Sequence, residues 1–494
     1  MVIRDWSSDV CSSDLLRNRE PNEAYLTADP GKAYLLYFPN GGSVELDLRS
    51  HRGTFTLRWL DLTHGDWAGR DSVAGDDWRS ITAPAQNHWV ALIQPATVGL
   101  LGRTENWPQW RGPRGDGTSL ETHLPVHWTA TRNVAWTAEV PGTGHASPIV
   151  WGDHVFTVSA IPETEDRVLL AFDRRTGRQL WQRTVLHAPF ERKHALNSHA
   201  SSTPATDGER VFTTFLDVRE VVVAAYDFNG NQRWTSRPGL FQSMHGFCSS
   251  PVLFDDKVIV NCDHDGDGYL VALSRQTGSE LWRIDRPNKT RSYCPPTIFE
   301  AGGHTQMVLS GTLCVTSYDP NNGRLRWIID GPTEQFVASM VYSREADLFF
   351  MTGGYPDHHL LAIRPDGIGN VTRSHIAWRH NRASYVSYVP SPIAVAGYFL
   401  LVSDPGFACC FDAQTGVLQW QEKVGSHHAS LVTANGLVYF LSDDGITTVV
   451  RPGPAYEVVA RNELGEGAFA SPALSQGNLF IRGEHRLHCI GVPP

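Results

Sequence analysis

Ten polar or ionisable residues occupy equivalent places between residues 145 and 466 of this sequence. Each stands a few residues ahead of a Ser-Pro dipeptide or a close variant of it. These residues are His145, His199, His245, Arg291, Tyr293, Glu334, Gln335, Tyr388, His428 and Glu466. Their side chains all take part in hydrogen bonds, so if they converged they would form a site for a polar ligand. The alternative is that they satisfy one another and nearby free backbone groups.

Metal sites and catalytic motifs are weakly indicated. The segment Asp263-His-Asp-Gly-Asp-Gly268 has oxygens at alternate positions, as a calcium loop does, but Ser274 stands where a bidentate Glu is needed. A plain hairpin turn is favoured there, and also at Pro356-Asp357-His358-His359. A histidine metal site would need ligands from separate parts of the chain. No phosphate loop, nucleophile elbow or His-Glu-x-x-His motif occurs. We therefore predict no catalytic residue and no metal ligand.

A repeat of about 50 residues organises the chain that must position these side chains. Its clearest copy is Asp412-Ala-Gln-Thr-Gly416, a turn followed by a short alternating strand that carries Trp420. Similar turns lead to Trp181, Trp234, Trp282, Trp327 and Trp378. Repeats of this period built from short strands are typical of β-propeller blades.

Eight places can open the innermost strand of a blade. They are Ser147-Pro148, Thr203-Pro204, Ser250-Pro251, Pro295-Pro296, Ser339, Ser391-Pro392, Ser430 and Ser471-Pro472. The last copy ends after three strands, while Asn133–Val140 has the pattern of a fourth strand and no blade of its own. Pairing the two would close the ring and remove its open edges. The predicted fold is an all-β, eight-bladed propeller of four-stranded antiparallel blades, with its last blade closed by an N-terminal strand.

The region before the repeats has a different pattern. Residues 20–97 contain several short alternating stretches, such as Ser43–Leu48 and Thr54–Leu60, and predict a small β-sandwich. Residues 98–132 form a linker and a segment rich in Trp, Pro and Gly, which we expect to lie across the propeller. The propeller itself is assigned to residues 133–494.

The first residues are treated separately. Asp5–Leu15 resembles a translated sequencing adapter, and residues 1–19 are expected to be artefactual or disordered. The chain carries a net charge of −10 and has no basic run, which argues against nucleic acid as a partner. It has no apolar run of membrane-spanning length. The seven cysteines beyond Cys11 match no zinc pattern and leave the compartment undecided.

Two family resemblances follow from these motifs. The Ala-x-Asp-x-x-Thr-Gly-x-x-x-Trp repeat resembles the pyrroloquinoline-quinone (PQQ)-like propeller repeat. Quinoprotein alcohol dehydrogenases and the outer-membrane assembly lipoprotein of the β-barrel insertion machinery both use that repeat. Residues from about 106 onward look most similar to PQQ-binding-like repeat proteins of the planctomycete type, through Trp107–Pro113, Ala200–Asp207 and Phe440–Asp444. Residues 20–97 resemble the C-terminal β-domain of secreted glycoside hydrolases that is named for collagen binding.

The resemblances imply several functions. The first is a non-catalytic binding or scaffold propeller, exported to the periplasm or cell surface, with a protein or glycan partner or a ligand at the channel mouth. The alternative is a PQQ-dependent oxidoreductase with calcium. That family places a disulfide between adjacent cysteines against the quinone, and Cys409-Cys410 is such a pair, although neighbouring strand residues face opposite ways. A further alternative is the accessory region of a truncated secreted glycoside hydrolase.

Overall fold

The computed structural model describes residues 15–20, 22–30, 33–51, 54–64, 66–95, 105–286, 288–381 and 385–491. The adapter-like stretch up to residue 14 lies outside them. The chain divides into two compact units, Met1–Leu101 and Gly102–Pro494. The described residues of both units form β-strands and contain no α-helix. No helix that could cross a membrane is found in the described part of the chain.

The first unit contains a three-stranded and a five-stranded antiparallel sheet, in the orders β1-β4-β7 and β2-β3-β8-β5-β6. Its strands are β1 (Leu16–Arg17), β2 (Tyr25–Asp29), β3 (Ala33–Phe38), β4 (Ser43–Asp47), β5 (Thr54–Asp61), β6 (Asp66–Ala74), β7 (Trp78–Thr82) and β8 (Trp89–Pro95). Alternate residues of β3 and β4 are buried, as their alternating sequences predict. One apolar cluster joins the two sheets, with Phe38, Trp59 and Ile93 from one and Leu46 and Ile81 from the other.

The described residues of the second unit form eight successive sheets, which we call sheets 1 to 8. Each has four strands in antiparallel order, and sheet 4 has a short fifth strand in addition. Sheets 1 to 4 consist of β10 (Ile149–Trp151), β11 (His154–Ile161), β12 (Asp166–Asp173), β13 (Gln179–His187); β14 (Ala205–Thr206), β15 (Arg210–Asp217), β16 (Glu220–Asp227), β17 (Gln232–Ser236); β18 (Val252–Phe254), β19 (Lys257–Cys262), β20 (Tyr269–Ser274), β21 (Glu280–Asp285); and β22 (Thr297–Ala301), β23 (His304–Gly311), β24 (Cys314–Tyr318), β25 (Leu325–Asp330).

The remaining sheets follow the same order. Sheets 5 to 8 consist of β26 (Val341–Ser343), β27 (Leu348–Gly353), β28 (His359–Ile363), β30 (Ile376–Asn381); β31 (Ile393–Val395), β32 (Tyr398–Val402), β33 (Phe407–Asp412), β34 (Leu418–Lys423); β35 (Val432–Ala434), β36 (Leu437–Leu441), β37 (Ile446–Arg451), β38 (Glu457–Glu463); and β39 (Ala473–Ser475), β40 (Asn478–Arg482), β41 (Arg486–Ile490), β9 (Val134–Glu139). The short strand β29 (Gly369–Asn370) adds to sheet 4 in parallel with β25.

The strand openings predicted from the sequence lie close to the observed starts of the innermost strands. Each innermost strand begins two residues after its predicted opening, at residues 149, 205, 252, 297, 341, 393, 432 and 473. The predicted closing pair is present as well, since β9 lies antiparallel to β41 with Arg486 opposite Glu139 and Ile490 opposite Val134.

The repeated tryptophans connect seven of the eight sheets to the next, since the fourth strand of sheet 7 has no tryptophan. In six cases the indole N–H donates to a backbone carbonyl in the next sheet over 2.8–3.2 Å, as Trp136 does to Arg174 and Trp181 to Phe228. The indole of Trp327 instead donates to Gln306 Oε1 at 2.8 Å, and Gln306 Nε2 donates to the carbonyl of Pro365 in sheet 5. A buried glutamine therefore relays this one connection.

The turn glycines fit against the same indoles. A Cβ on Gly177 would lie 2.5 Å from the ring of Trp136, and one on Gly278 would lie 2.5 Å from the ring of Trp234. Both glycines also have positive φ, of 73° and 72°. Because any side chain would clash with the indole and strain the backbone, the repeat requires glycine after Thr at these turns.

Candidate functional site

Six of the ten predicted residues line one cavity of about 560 Å³ in the second unit. They are His145, His245, Tyr293, Gln335, Tyr388 and His428. All six precede an innermost strand, and they come from sheets 1, 3, 4, 5, 6 and 7. The equivalence that the sequence suggested therefore brings these side chains to one place, although they are up to 283 residues apart in the chain (428 − 145).

The other four predicted residues are not among the lining residues of this cavity. His199 stacks on Phe190 with ring centroids 4.1 Å apart, and its Nε2 lies 3.0 Å from the carbonyl oxygen of Glu191. Glu466 bonds His488 Nε2 at 2.5 Å and accepts the backbone N–H of His485 at 2.9 Å. These two residues therefore satisfy groups within the fold, which is the alternative that the sequence left open, and their polar atoms are not left for a ligand.

The remaining two predicted residues, Arg291 and Glu334, differ in their exposure. Arg291 donates to Asp265 at 2.7 Å and keeps 23% of its side chain exposed. Burial lowers the pKa of its guanidinium, but the hydrogen bond and charge of Asp265 outweigh this and raise it. Glu334 is exposed on the loop that precedes β26.

The cavity also contains residues that the sequence analysis missed, chiefly Asp404 and Asp443. Each follows a serine at the end of the second strand of its sheet, in Val-Ser-Asp404 and Leu-Ser-Asp443. In an antiparallel sheet the end of the second strand lies beside the start of the first, so this position faces the same opening. The recurrence of Ser-Asp after β32 and β36 was the signal that could have identified them.

His428 and Asp443 form the central ion pair of the cavity. His428 Nδ1 lies 2.9 Å from Asp443 Oδ2, with 16% and 19% of the two side chains exposed. Burial lowers the pKa of His428, but the hydrogen bond and charge of Asp443 outweigh it, and the pKa of this imidazole is raised above 6.5. Because Nδ1 is held by the carboxylate, the other ring nitrogen, Nε2, is the one left to face a ligand.

The pKa of His145 is shifted in the opposite direction from that of His428, although both imidazoles pack against the ring of Phe469. Phe469 lies 4.9 Å from the ring of His145 and 4.6 Å from that of His428, measured between centroids. Burial, together with the charges of Arg482 and His428, lowers the pKa of His145 to about 4. At neutral pH the cavity therefore holds a neutral His145 beside a His428 that protonates more readily than a free histidine.

Two tyrosines are fixed by neighbouring side chains. The Tyr293 hydroxyl bonds Ser243 Oγ and lies 2.9 Å from His245 Nδ1. The Tyr388 hydroxyl accepts a hydrogen bond from Gln335 Nε2. Burial raises the pKa of both phenols, so both stay protonated at neutral pH.

Asp404 orients the loop that carries Tyr388. Its carboxylate accepts the backbone N–H of Tyr388 at 2.9 Å and that of Val389 at 3.2 Å. Burial raises the pKa of Asp404, while the two backbone donors oppose that rise.

The predicted Trp-, Pro- and Gly-rich segment contributes Trp110 to the cavity. Trp110 lines this cavity and a second one of about 630 Å³, so it separates the two. Its indole N–H donates to Ser339 Oγ at 3.1 Å. The neighbouring Arg111 is buried and donates to backbone carbonyls of Ser391 and Leu431. The segment is therefore anchored in sheets 5, 6 and 7 by side chains.

The alternating aspartates of the calcium-like loop are each paired with a cation. Asp263 bonds Arg286 at 2.9 Å with both side chains fully buried, Asp265 bonds Arg291 at 2.7 Å, and Asp267 bonds Lys289 at 2.6 Å. The segment between β21 and β22, which carries Arg286, Lys289 and Arg291, therefore supplies the positive charges that a calcium ion would otherwise supply. Among the described residues no group of three His, Cys, Asp or Glu side chains could hold a metal ion.

Cys409 and Cys410 are free thiols on opposite faces of β33. Cys409 packs with Phe350 and Phe399, whereas Cys410 packs with Leu400 on the other side of the sheet. This is the strand geometry that the sequence indicated, and it keeps the two sulfurs apart.

Comparisons with known proteins show a similarity over part of the repeat region. Residues 124–215 and 165–349 match the family model described as outer membrane protein assembly factor BamB. No curated protein matches the sequence significantly. The structure of BamB from Moraxella catarrhalis superposes with a TM-score of 0.50 and 12% identity, covering 72% of this chain and 98% of that one.

A quinohemoprotein alcohol dehydrogenase from Comamonas testosteroni superposes with a TM-score of 0.53 and 14% identity, covering 79% of this chain and 81% of that one. At such low identity these likenesses establish the fold alone. The chain is thus an all-β protein with a β-propeller, and its residues 124–349 are similar to the PQQ-like repeat of the assembly-factor family.

Proposed function

We propose that the second unit is a non-catalytic, eight-bladed binding propeller of an exported protein, which holds a ligand or partner at the cavity around His428. The observation that supports this most is the convergence of six equivalent residues from six sheets on one cavity. Residues 133–494 are assigned to the propeller, with sheets 1 to 8 as its blades, and residues 98–132 to the linker and anchoring segment. A protein or glycan partner is the occupant that this architecture favours.

The cavity fits PQQ poorly, and this argues against the oxidoreductase alternative. PQQ carries three carboxylates, and anionic groups are commonly bound by Arg or Lys. No Lys or Arg is among the lining residues of the cavity, whereas Asp404 and Asp443 both are. Bringing a trianion beside two carboxylates would cost binding energy. The free thiols of Cys409 and Cys410 also face away from each other.

The proposal can be tested by site-specific photo-crosslinking in the producing cells. Leu196 lines the cavity and is 51% exposed, and Leu325 on β25 is 50% exposed, so the two form a matched pair. A benzophenone amino acid at Leu196 should yield a defined adduct with a protein or glycan, while the same group at Leu325 should not. Equal labelling at both sites would contradict a binding role for this mouth.

For the first unit we propose an accessory β-sandwich over residues 20–97 that binds carbohydrate or matrix. An exposed row of rings on adjacent strands favours this second function. Tyr25 and Tyr37 have ring planes within 23° and centroids 6.3 Å apart, and Tyr37 and His88 lie within 15° and 6.5 Å. Flat aromatic faces of this kind can pack against sugar rings.

The test uses the full chain in pull-down with insoluble polysaccharides and with collagen. Replacing Tyr25, which is 51% exposed, by alanine should reduce retention several-fold. Leu62 is 47% exposed elsewhere on this unit and provides the control Leu62→Ala. Retention that is unchanged by Tyr25→Ala, or absent from the wild type, would contradict this role.

A further inference from the structure

The charge of the cavity limits which ligands it can hold. Its lining contains the two carboxylates of Asp404 and Asp443 and no ammonium or guanidinium group. The cations near the lining have partners of their own. Arg291 is paired with Asp265 at 2.7 Å, Arg482 donates to Thr157 and Ser159, and Lys193 donates to the carbonyl of His194. Phosphates, carboxylates and other anions would therefore meet two carboxylates without a Lys or Arg in the lining, and the imidazole of His428 is already paired with Asp443.

The lining offers both hydrogen-bond donors and acceptors, which favours an uncharged ligand over a cation. The Tyr388 hydroxyl accepts from Gln335, so its own proton remains for a ligand. Asp443 Oδ2 holds His428 Nδ1, so the imidazole Nε2 is the ring atom left for a ligand. A cation would use the acceptors alone. A hydroxyl group both donates and accepts, and it can use all of these atoms.

The apolar part of the lining is arranged in flat faces. Phe469 lies against His428 with ring centroids 4.6 Å apart, and the indole of Trp110 also lines the cavity. Val337 and Val389 complete the apolar wall. The cavity volume of about 560 Å³ lies within the range of small-molecule sites, about 300–1,000 Å³. Such faces suit the C–H surfaces of a ring that carries hydroxyl groups at its edge.

We infer that the occupant of this cavity is an uncharged polyhydroxylated ring, that is, a neutral sugar or the end of a neutral glycan chain. His428 with Asp443 and Tyr388 with Gln335 bind its hydroxyl groups, and Phe469 packs against its apolar face. This inference rests on the proposed binding function and specifies the ligand class of the same site.

The test is calorimetric titration of the full chain with matched sugars. The probes are glucose, galactose and mannose with their short β- and α-linked oligosaccharides, each beside its uronate and its 2-amino counterpart. We expect a neutral member to bind, and its uronate to bind at least tenfold more weakly. His428→Gln and Tyr388→Phe should each weaken binding at least tenfold. His187→Gln and Tyr355→Phe, at residues exposed by 73% of the side chain and by 56% respectively, should leave it unchanged.

The outcomes separate the ligand class from the binding function. If the amino sugar or the uronate binds more tightly than the neutral sugar, or if no neutral sugar binds at millimolar concentration, the inference is overturned. In that case a specific adduct at Leu196 would still support a binding propeller with another occupant. If no sugar binds and Leu196 yields no specific adduct, the proposed function fails as well.

Discussion

The backbone N–H of Ser471 donates to Ser147 Oγ at 3.0 Å, although the two residues are 324 positions apart. The same bond joins successive innermost strands around the unit: Ser147 to Thr203, Thr203 to Ser250, Ser339 to Ser391, Ser391 to Ser430, and Ser430 to Ser471. Five of these residues, Ser147, Thr203, Ser391, Ser430 and Ser471, thus donate through the backbone and accept through the side chain. The Ser471–Ser147 bond connects the last sheet to the first.

One position interrupts this series for a clear chemical reason. Pro295 occupies the place of the serine in sheet 4, and proline has neither a hydroxyl group nor a backbone N–H. Ser339 Oγ consequently receives no bond from sheet 4 and accepts the indole N–H of Trp110 instead. Because Pro295 has no N–H to donate, Ser339 Oγ is left free to accept the indole N–H of Trp110, which lines both cavities.

Ser147→Ala should destabilise the protein by about 1–3 kcal/mol, because the buried N–H of Ser471 would lose its acceptor. Chemical denaturation monitored by tryptophan fluorescence measures this. Ser279→Ala removes an exposed hydroxyl and should change the free energy of unfolding by less than about 0.5 kcal/mol. If the two variants were equally stable, the Ser471–Ser147 bond would not contribute to closing the unit.

Gly177→Ala should cost more stability than Gly152→Ala. Both glycines have positive φ, of 73° and 55°, but an added Cβ meets the Trp136 ring at 2.5 Å in the first case and nothing within 4 Å in the second. Backbone strain alone costs about 1 kcal/mol at Gly152, and overpacking against Trp136 adds about 1–3 kcal/mol at Gly177. Thermal unfolding of the two variants compares them directly. Equal losses would show that the indole can move away from the turn.

The loop from Asp263 to Gly268 should not respond to calcium. Its three aspartates are paired with Arg286, Arg291 and Lys289, and a calcium ion would have to break these pairs. We expect the melting temperature of the wild type to be the same in millimolar calcium as in a chelator. A calcium-dependent rise in the melting temperature would contradict these pairings.

Asp263→Asn should cost about 3–5 kcal/mol, because it leaves the fully buried Arg286 without its carboxylate. Urea unfolding measures the loss. Asp267→Asn removes a carboxylate that is 90% exposed and should have almost no effect. A small loss for Asp263→Asn would mean that the Tyr318 hydroxyl, 2.6 Å from Arg286 Nη1, suffices to hold the guanidinium.

The strands could be predicted from sequence far better than the cavity could. Each strand is encoded by local alternation and by the turn that ends at glycine, so even the pairing of Val134–Glu139 with the last strand followed from counting. The roles of His199 and Glu466 depended on neighbours that the repeat does not specify, namely the carbonyl of Glu191 and the side chain of His488. Equivalent positions in a repeat share backbone geometry, and their side-chain partners differ.

His145 and His428 should make opposite contributions to the pH dependence of stability. The pKa of His145 is about 4 in the folded protein and 6.5 ordinarily, so the unfolded chain binds more protons between these values. Stability therefore falls as the pH is lowered from about 6.5 towards 4, by at most about 3 kcal/mol for this residue. His428 has a raised pKa, so its contribution is fully present below pH 6.5 and is lost as the pH rises through its folded pKa.

Unfolding curves measured from pH 4 to pH 9 for His145→Asn and His428→Asn would separate the two histidines. Asp443 and Asp404 are the acidic groups whose charges raise the pKa of His428. His145→Asn should flatten the acid limb of the profile, because the group that resists protonation is gone. His428→Asn should instead lower stability most at acidic and neutral pH, where the imidazolium bonds Asp443. If both variants kept the acid limb of the wild type, proton uptake by His145 would not limit stability, and the carboxylates elsewhere in the fold would have to account for it.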